Sequence, residues 1–165
     1  MSLINITQNL VLTGDIQNPR VCLRAVFPTC TGLSQAPVQL RNQPLDMFRG
    51  DDLEITFSVI DESGLEVDIT NAERVQWWFG RSAQGPAIVA KERQKGDVLF
   101  SGGVVLQGSG FQFRVPLNRP DTVNLEPGAY YHEAKIFTDN QRSVTVAYGR
   151  LNLRRELIRP ENEPE

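Results

Sequence analysis

Histidine occurs once in this chain, at His132, and cysteine twice, at Cys22 and Cys30. A single histidine excludes histidine-rich metal sites and leaves a serine or cysteine nucleophile only one partner base. His132 lies in an alternating stretch with Tyr130 and Ile136 on the face read as inward, so it is expected to pack and hydrogen-bond, not to catalyse. Two cysteines are fewer than a disulfide framework needs, and their spacing matches no zinc motif; they are read as reduced thiols. No apolar run approaches the roughly 20 residues of a membrane-spanning helix. The opening Met1-Ser2-Leu3-Ile4-Asn5-Ile6-Thr7-Gln8 lacks the basic and long apolar regions of a secretory signal. The chain is therefore expected to be made and kept in a cytoplasm, unless it leaves as part of a larger particle. No window repeats apolar residues at helical spacing through three turns, which excludes a long helix and a doubly wound α/β fold. A net charge of −3 lacks the basic excess of bulk nucleic-acid binding.

What is present is β patterning. The chain has 165 residues, 40% hydrophobic and 22% charged, enough for one domain with a full core. It divides into three zones: a polar, turn-rich N-terminal arm over 1–43, a regularly patterned sandwich over 44–155, and an acidic, proline-broken tail over 156–165. In the middle zone Leu53, Ile55, Phe57 and Val59 alternate with polar residues, followed by the turn Asp61-Glu62-Ser63-Gly64 and a short return strand at Val67 and Ile69. Val75, Trp77 and Phe79 alternate next, then Ala87 to Ala90, Val98 to Phe100 and Val104 to Leu106. Phe111, Phe113, Val115 and Leu117 form another set, with a loop or one helical turn around Thr122 to Leu125. Tyr130, His132, Ala134 and Ile136 and a final strand over Val144 to Leu153 complete seven or eight short strands. Short strands with turn signals between them predict an all-β antiparallel sandwich.

Residues 1–43 hold two further β signals, Leu10-Val11-Leu12 and the alternating Val21, Leu23, Ala25 and Phe27. Two short strands do not fold alone, so they are expected to dock on the sandwich or on another chain. Leu10, Leu12 and Phe27 are thus candidate interface residues, and the sandwich is expected to fold without them.

Chemistry-bearing motifs are missing. Asp51-Asp52 and Asp61-Glu62 lack the register of a calcium loop, and Gly102-Gly103 and Gly108-Ser109-Gly110 are not followed by the Lys-Ser or Lys-Thr of a phosphate loop. Arg49-Gly50-Asp51 spells an adhesion tripeptide but immediately precedes a strand, where a turn is expected. No catalytic, cofactor or metal residue is assigned, and the chain is expected not to be an enzyme. The candidate contacts are aromatic. Neighbours in a strand face opposite ways, so Trp77 and Trp78 cannot share one core; Trp78 is expected either to meet a partner or to be covered by the N-terminal extension or a loop. Tyr131 and Phe137, interleaved with Glu133 and Lys135 on the face opposite His132, form either a docking surface or a solvated face with two stray aromatics.

Arg49-Gly50-Asp51-Asp52 leading into Leu53 to Phe57, Asp61 to Gly64 followed by Val67 to Ala72, Leu125 to Tyr131, Thr138 to Gln141 and Gly149 to Leu153 form a series of matching stretches. Over about two thirds of the chain they resemble the immunoglobulin-like β-sandwich domains of tailed-bacteriophage virion proteins, including the N-terminal domains of some baseplate proteins. The sequence departs from that pattern at His132, where an aromatic is usual, and the segment before Leu45 has no counterpart. The resemblance implies an immunoglobulin-like fold and a structural role in a phage particle, in the tail, baseplate or fibre, or alternatively in capsid decoration. It implies other virion proteins and copies of the same chain as partners, with no membrane or nucleic acid. A reading of another class is a carbohydrate-binding module, with Trp78, Tyr131 and Phe137 stacking on a host glycan.

Overall fold

Side chains that alternate between apolar and polar require two sheets, each hiding its apolar face against the other. The computed structural model describes residues 19–29, 37–97, 103–107, 110–139 and 142–158. Its strands are β1 (Arg20–Val26), β2 (Leu45–Phe48), β3 (Leu53–Ile60), β4 (Arg74–Gly80), β5 (Ala87–Gln94), β6 (Val105–Gln107), β7 (Gln112–Leu117), β8 (Gly128–Phe137) and β9 (Ser143–Arg154). Two single helical turns, α1 (Pro37–Leu40) and α2 (Arg119–Thr122), are the only helices among the described residues. The strands form a four-stranded sheet in the order β1-β3-β7-β6 and a five-stranded sheet in the order β2-β9-β8-β4-β5. The chain is an all-β sandwich.

The inner faces are those the alternation marks. Ile55, Phe57 and Val59 of β3 and Phe113, Val115 and Leu117 of β7 are buried on one side. Val75, Trp77 and Phe79 of β4, Tyr130, Ala134 and Ile136 of β8, and Leu151 and Leu153 of β9 are buried on the other. Phe57 lies opposite Phe113 in register, and their rings stack with centroids 4.7 Å apart. A bulge between Ala134 and Lys135 lets two consecutive residues of β9, Val146 and Ala147, both reach the core.

The expected antiparallel pairing holds from β3 onward within each sheet, while the two N-terminal strands add in parallel, β1 along β3 and β2 along β9. A hairpin joins only antiparallel strands, so the chain must cross between the sheets after β1. Gln43 anchors the second half of that crossing. Its amide donates to the Tyr148 carbonyl at 2.7 Å, and its side-chain oxygen accepts from the Arg24 amide at 3.2 Å. Its own carbonyl takes the Nε2 proton of His132. Gly149 makes room for this, because a Cβ there would stand 2.9 Å from the Gln43 carbonyl oxygen.

The division at residue 43 does not follow these layers. The described part of the arm docks on its own chain, with Ala25 and Val26 buried in the core. β1 supplies one edge of the four-stranded sheet, so this part of the arm is a strand of the sandwich itself. The return strand at Val67 and Ile69 shrinks to a single bridge between Ile60 and Glu66. There Asp68 turns the backbone by accepting from the Thr70 amide and hydroxyl. The stretch Val98 to Phe100 and the candidates Leu10 and Leu12 lie outside the described residues.

Candidate functional site

The outer face of the five-stranded sheet carries the one candidate site that the aromatic residues define. Trp77 occupies the inward position of β4 and is fully buried, so the period of two turns Trp78 outward, where it is 43% exposed. Register places Trp78 between Ala90 of β5 and Glu133 of β8. One step along the face, Gln76 lies opposite Lys135, and in the other direction Gly80 lies opposite Tyr131. Gln76, Trp78, Gly80, Tyr131, Glu133 and Lys135, with the β4–β5 hairpin, line a groove of about 240 Å³. The missing side chain at Gly80 is what allows its wall, since a Cβ there would stand 2.5 Å from the Pro86 carbonyl oxygen.

The polar side of the groove is already organised. Glu133 accepts from the Thr145 hydroxyl at 2.9 Å and pairs with Lys135 Nζ at 3.6 Å. Burial, and then the Glu133 carboxylate beside it, raises the Tyr131 phenol above its ordinary value; the neutral hydroxyl can both donate and accept. The groove therefore presents an indole face, a phenol, an amide, a carboxylate and an ammonium group on a rigid sheet, with donors and acceptors side by side.

Beneath it, the inward residues form a second polar chain. Trp77 Nε1–H donates to His132 Nδ1 at 3.2 Å, which fixes the tautomer with the proton on Nε2, and that proton goes to the Gln43 carbonyl. Burial lowers the His132 pKa below its ordinary value of 6.5, the Gln43 bond opposing in part. His132 is wholly enclosed, with both ring nitrogens engaged, so it faces no substrate.

Of the other residues expected at an interface, Phe137 is on the same face but outside the groove, with the Arg74 guanidinium 4.0 Å over its ring. Phe27 is half-buried against the core, and its amide bonds to the Ile60 carbonyl at 2.8 Å. Arg74 thus covers one face of the Phe137 ring, and Phe27 packs against the core of its own chain. The sequence had pointed to Trp78 and Tyr131 on separate strands; that β4 and β8 are neighbours, and that Gln76 and the hairpin complete the groove, was missed. The signal was Gly80 together with Gly85-Pro86, which permit a hairpin to fold tightly against a strand end.

The Arg49-Gly50-Asp51 triplet is tied into the fold. Arg119 Nη1 donates to the Gly50 carbonyl at 2.9 Å and to Glu156 Oε2 at 3.2 Å, and the Gly50 amide donates to Thr122 Oγ1 at 2.8 Å. Gly50 adopts φ +80°, and Arg49 Nε faces the same Glu156 carboxylate at 3.9 Å. Glu156, assigned to the acidic tail, is thus a nearly buried clamp residue. Among the described residues, no group of three or more histidine, cysteine, aspartate or glutamate side chains stands ready to hold a metal, and no helix is long and apolar enough to cross a membrane. Cys22 is a free, exposed thiol.

No protein-family model matches the chain, and no curated protein matches it. Among solved structures it is similar to the N-terminal domain of phage TP901-1 ORF48, at 10% identity over 81% of this chain and 99% of that chain, with a TM-score of 0.41. A likeness of that degree assigns neither a family nor a role.

Proposed function

We propose that this protein is a non-enzymatic structural component of a bacteriophage particle, associated with its tail, baseplate or fibre, and that the Trp78–Tyr131 groove is its contact surface. The observation that carries the reading is an indole placed outward on a sheet whose inner face already has a complete aromatic core. Folding does not need that side chain there, and exposed tryptophan next to a groove is the composition of a recognition surface. The particle assignment is supported by the resemblance of residues 49–57, 61–64, 67–72, 125–131, 138–141 and 149–153 to virion sandwich domains. Partners of this kind would be other virion proteins and further copies of the chain, joined through the N-terminal segment and the sandwich surface outside the groove.

The test is mass spectrometry of density-purified particles from cells expressing the gene. The expected outcome is the chain in tens of copies or fewer per particle, with particle function impaired when Trp78→Ala and Tyr131→Ala are combined. A chain absent from purified particles would refute the assignment. Hundreds of copies would move it from the tail to decoration of the capsid.

A further inference from the structure

A protein partner and a sugar would use the exposed indole differently, and the residues around it discriminate between them. An indole that anchors a protein interface sits at a centre depleted of charged side chains, because those would lose their water. Trp78 instead stands opposite Glu133, with Gln76 and Lys135 paired one step along. Glu133 and Lys135 keep about a third of their surface, 31% and 37%, in solvent. Closing a protein surface over them would desolvate a carboxylate–ammonium pair, a cost that the attraction between the two charges only partly offsets.

A sugar ring makes no such demand. Its hydroxyls both donate and accept, so they replace the water on Glu133, Lys135 and Gln76 bond for bond. Its C–H face settles on the negative face of an aromatic ring. The ring is available, because its β5 neighbour is Ala90, whose methyl group is too short to cover an indole. Strand spacing of about 5 Å and same-face spacing of about 7 Å set the polar groups a ring's width from the stacking platform. The charges of Glu133 and Lys135 cancel within the groove, which favours a ligand without charge.

We infer that the groove binds a neutral, pyranose-containing glycan, one ring stacked on Trp78 and its hydroxyls held by Glu133, Lys135 and Gln76. This rests on reading the groove as a contact surface and not on which particle carries the chain. The full-length protein is titrated with maltohexaose, cellohexaose, mannohexaose, xylohexaose and chitohexaose, followed by the Trp78 indole N–H resonance and by intrinsic fluorescence. At least one sugar is expected to shift the Trp78 signal and saturate at or below about 10 mM, with Trp78→Ala abolishing binding and Gln76→Ala weakening it about tenfold. Both side chains point outward, so both variants should keep the wild-type circular dichroism and melt within a few degrees of the wild type. No response to any of the five sugars, or wild-type affinity in Trp78→Ala, would overturn the inference. If the sugars fail while the Trp78→Ala, Tyr131→Ala double variant still impairs the particle, the groove contacts protein and only the glycan assignment falls. If neither readout changes, the contact surface falls with it.

Discussion

Trp77 and Trp78 are adjacent and chemically identical, yet they answer to different physics. Trp77 is enclosed, edge-on to Phe79 at 5.5 Å, and its N–H is satisfied by His132. Trp78 is exposed beside a groove. Replacing the stacked Phe57 or Phe113 with Ala should cost about 3–5 kcal/mol, whereas Trp78→Ala should cost less than about 1 kcal/mol. Urea titrations of the three variants check this, and comparable losses would mean that the faces of β4 are misassigned. His132 sets a pH dependence whose sign is fixed by its environment. Its folded pKa is lowered, so the unfolded chain binds the proton more readily. Stability should be level above pH 7.5 or so and fall as the pH drops through the unfolded value of about 6.5, by up to roughly 1.4 kcal/mol per unit. Unfolding midpoints at several pH values should show this slope in the wild type and a flatter one in His132→Phe over pH 5 to 7. An unchanged slope in the variant would show that other groups titrate. The absolute stability of His132→Phe should be lower throughout, because it strands the Trp77 N–H and the Gln43 carbonyl.

Among the elements, β3, β4, β7, β8 and β9 were legible in the sequence because each alternates over several residues, with turn residues at its ends. The turn at Asp61 was legible too: its carboxylate accepts from the Ser63 and Leu65 amides, as an aspartate opening a turn should. β1 was recognised as strand-like, but its partner was not, because a parallel pairing leaves no mark in local sequence. Its placement changes what truncation should do. Removing residues 1–43 takes away Ala25 and Val26 from the core and exposes the whole edge of β3. The 44–165 fragment is expected to lose cooperative unfolding, with collapsed amide dispersion in its proton–nitrogen spectrum. A well-dispersed spectrum and a sharp thermal transition would show that β1 is an accessory to the core. The groove was half legible. Gln76 and Trp78 on β4, and Tyr131, Glu133 and Lys135 on β8, follow from alternation within single strands, whereas their meeting in one groove depends on β4 lying beside β8.

At the scale of the whole molecule, Glu156, just after β9, is held to the beginning of the sandwich by charge. Glu156 receives both terminal nitrogens of Arg119, at 3.2 and 3.4 Å, while Arg119 also holds the Gly50 carbonyl. Arg119→Ala removes that partner from a carboxylate that is only 8% exposed. The expected loss is about 1–3 kcal/mol, the cost of leaving a buried acceptor unmet, with Arg49 as the remaining counter-charge. Glu156→Gln, which keeps the acceptor and the shape, should lose less, and differential scanning calorimetry of the two variants tests the order. Equal melting points for wild type and Arg119→Ala would reduce the clamp to a surface ion pair. The composition of residues 156–165 suggested only an acidic tail, because the burial of Glu156 depends on residues more than a hundred positions away at Arg49 and Gly50.

The sequence by itself determined which side chains face inward along each antiparallel strand, where the turns fall, and that one tryptophan must lie outside the core. Those outcomes are local: a two-residue period and the conformational preferences of Gly, Asp and Pro act over a few residues. Only the tertiary structure decided that β1 and β2 join in parallel, that Gln43 links the two sheets to His132, and that Trp78 and Tyr131 share one groove with Gln76. Each of these brings together residues distant in the chain, and strand order, on which they depend, is chosen by the packing of two whole faces and not by any single segment.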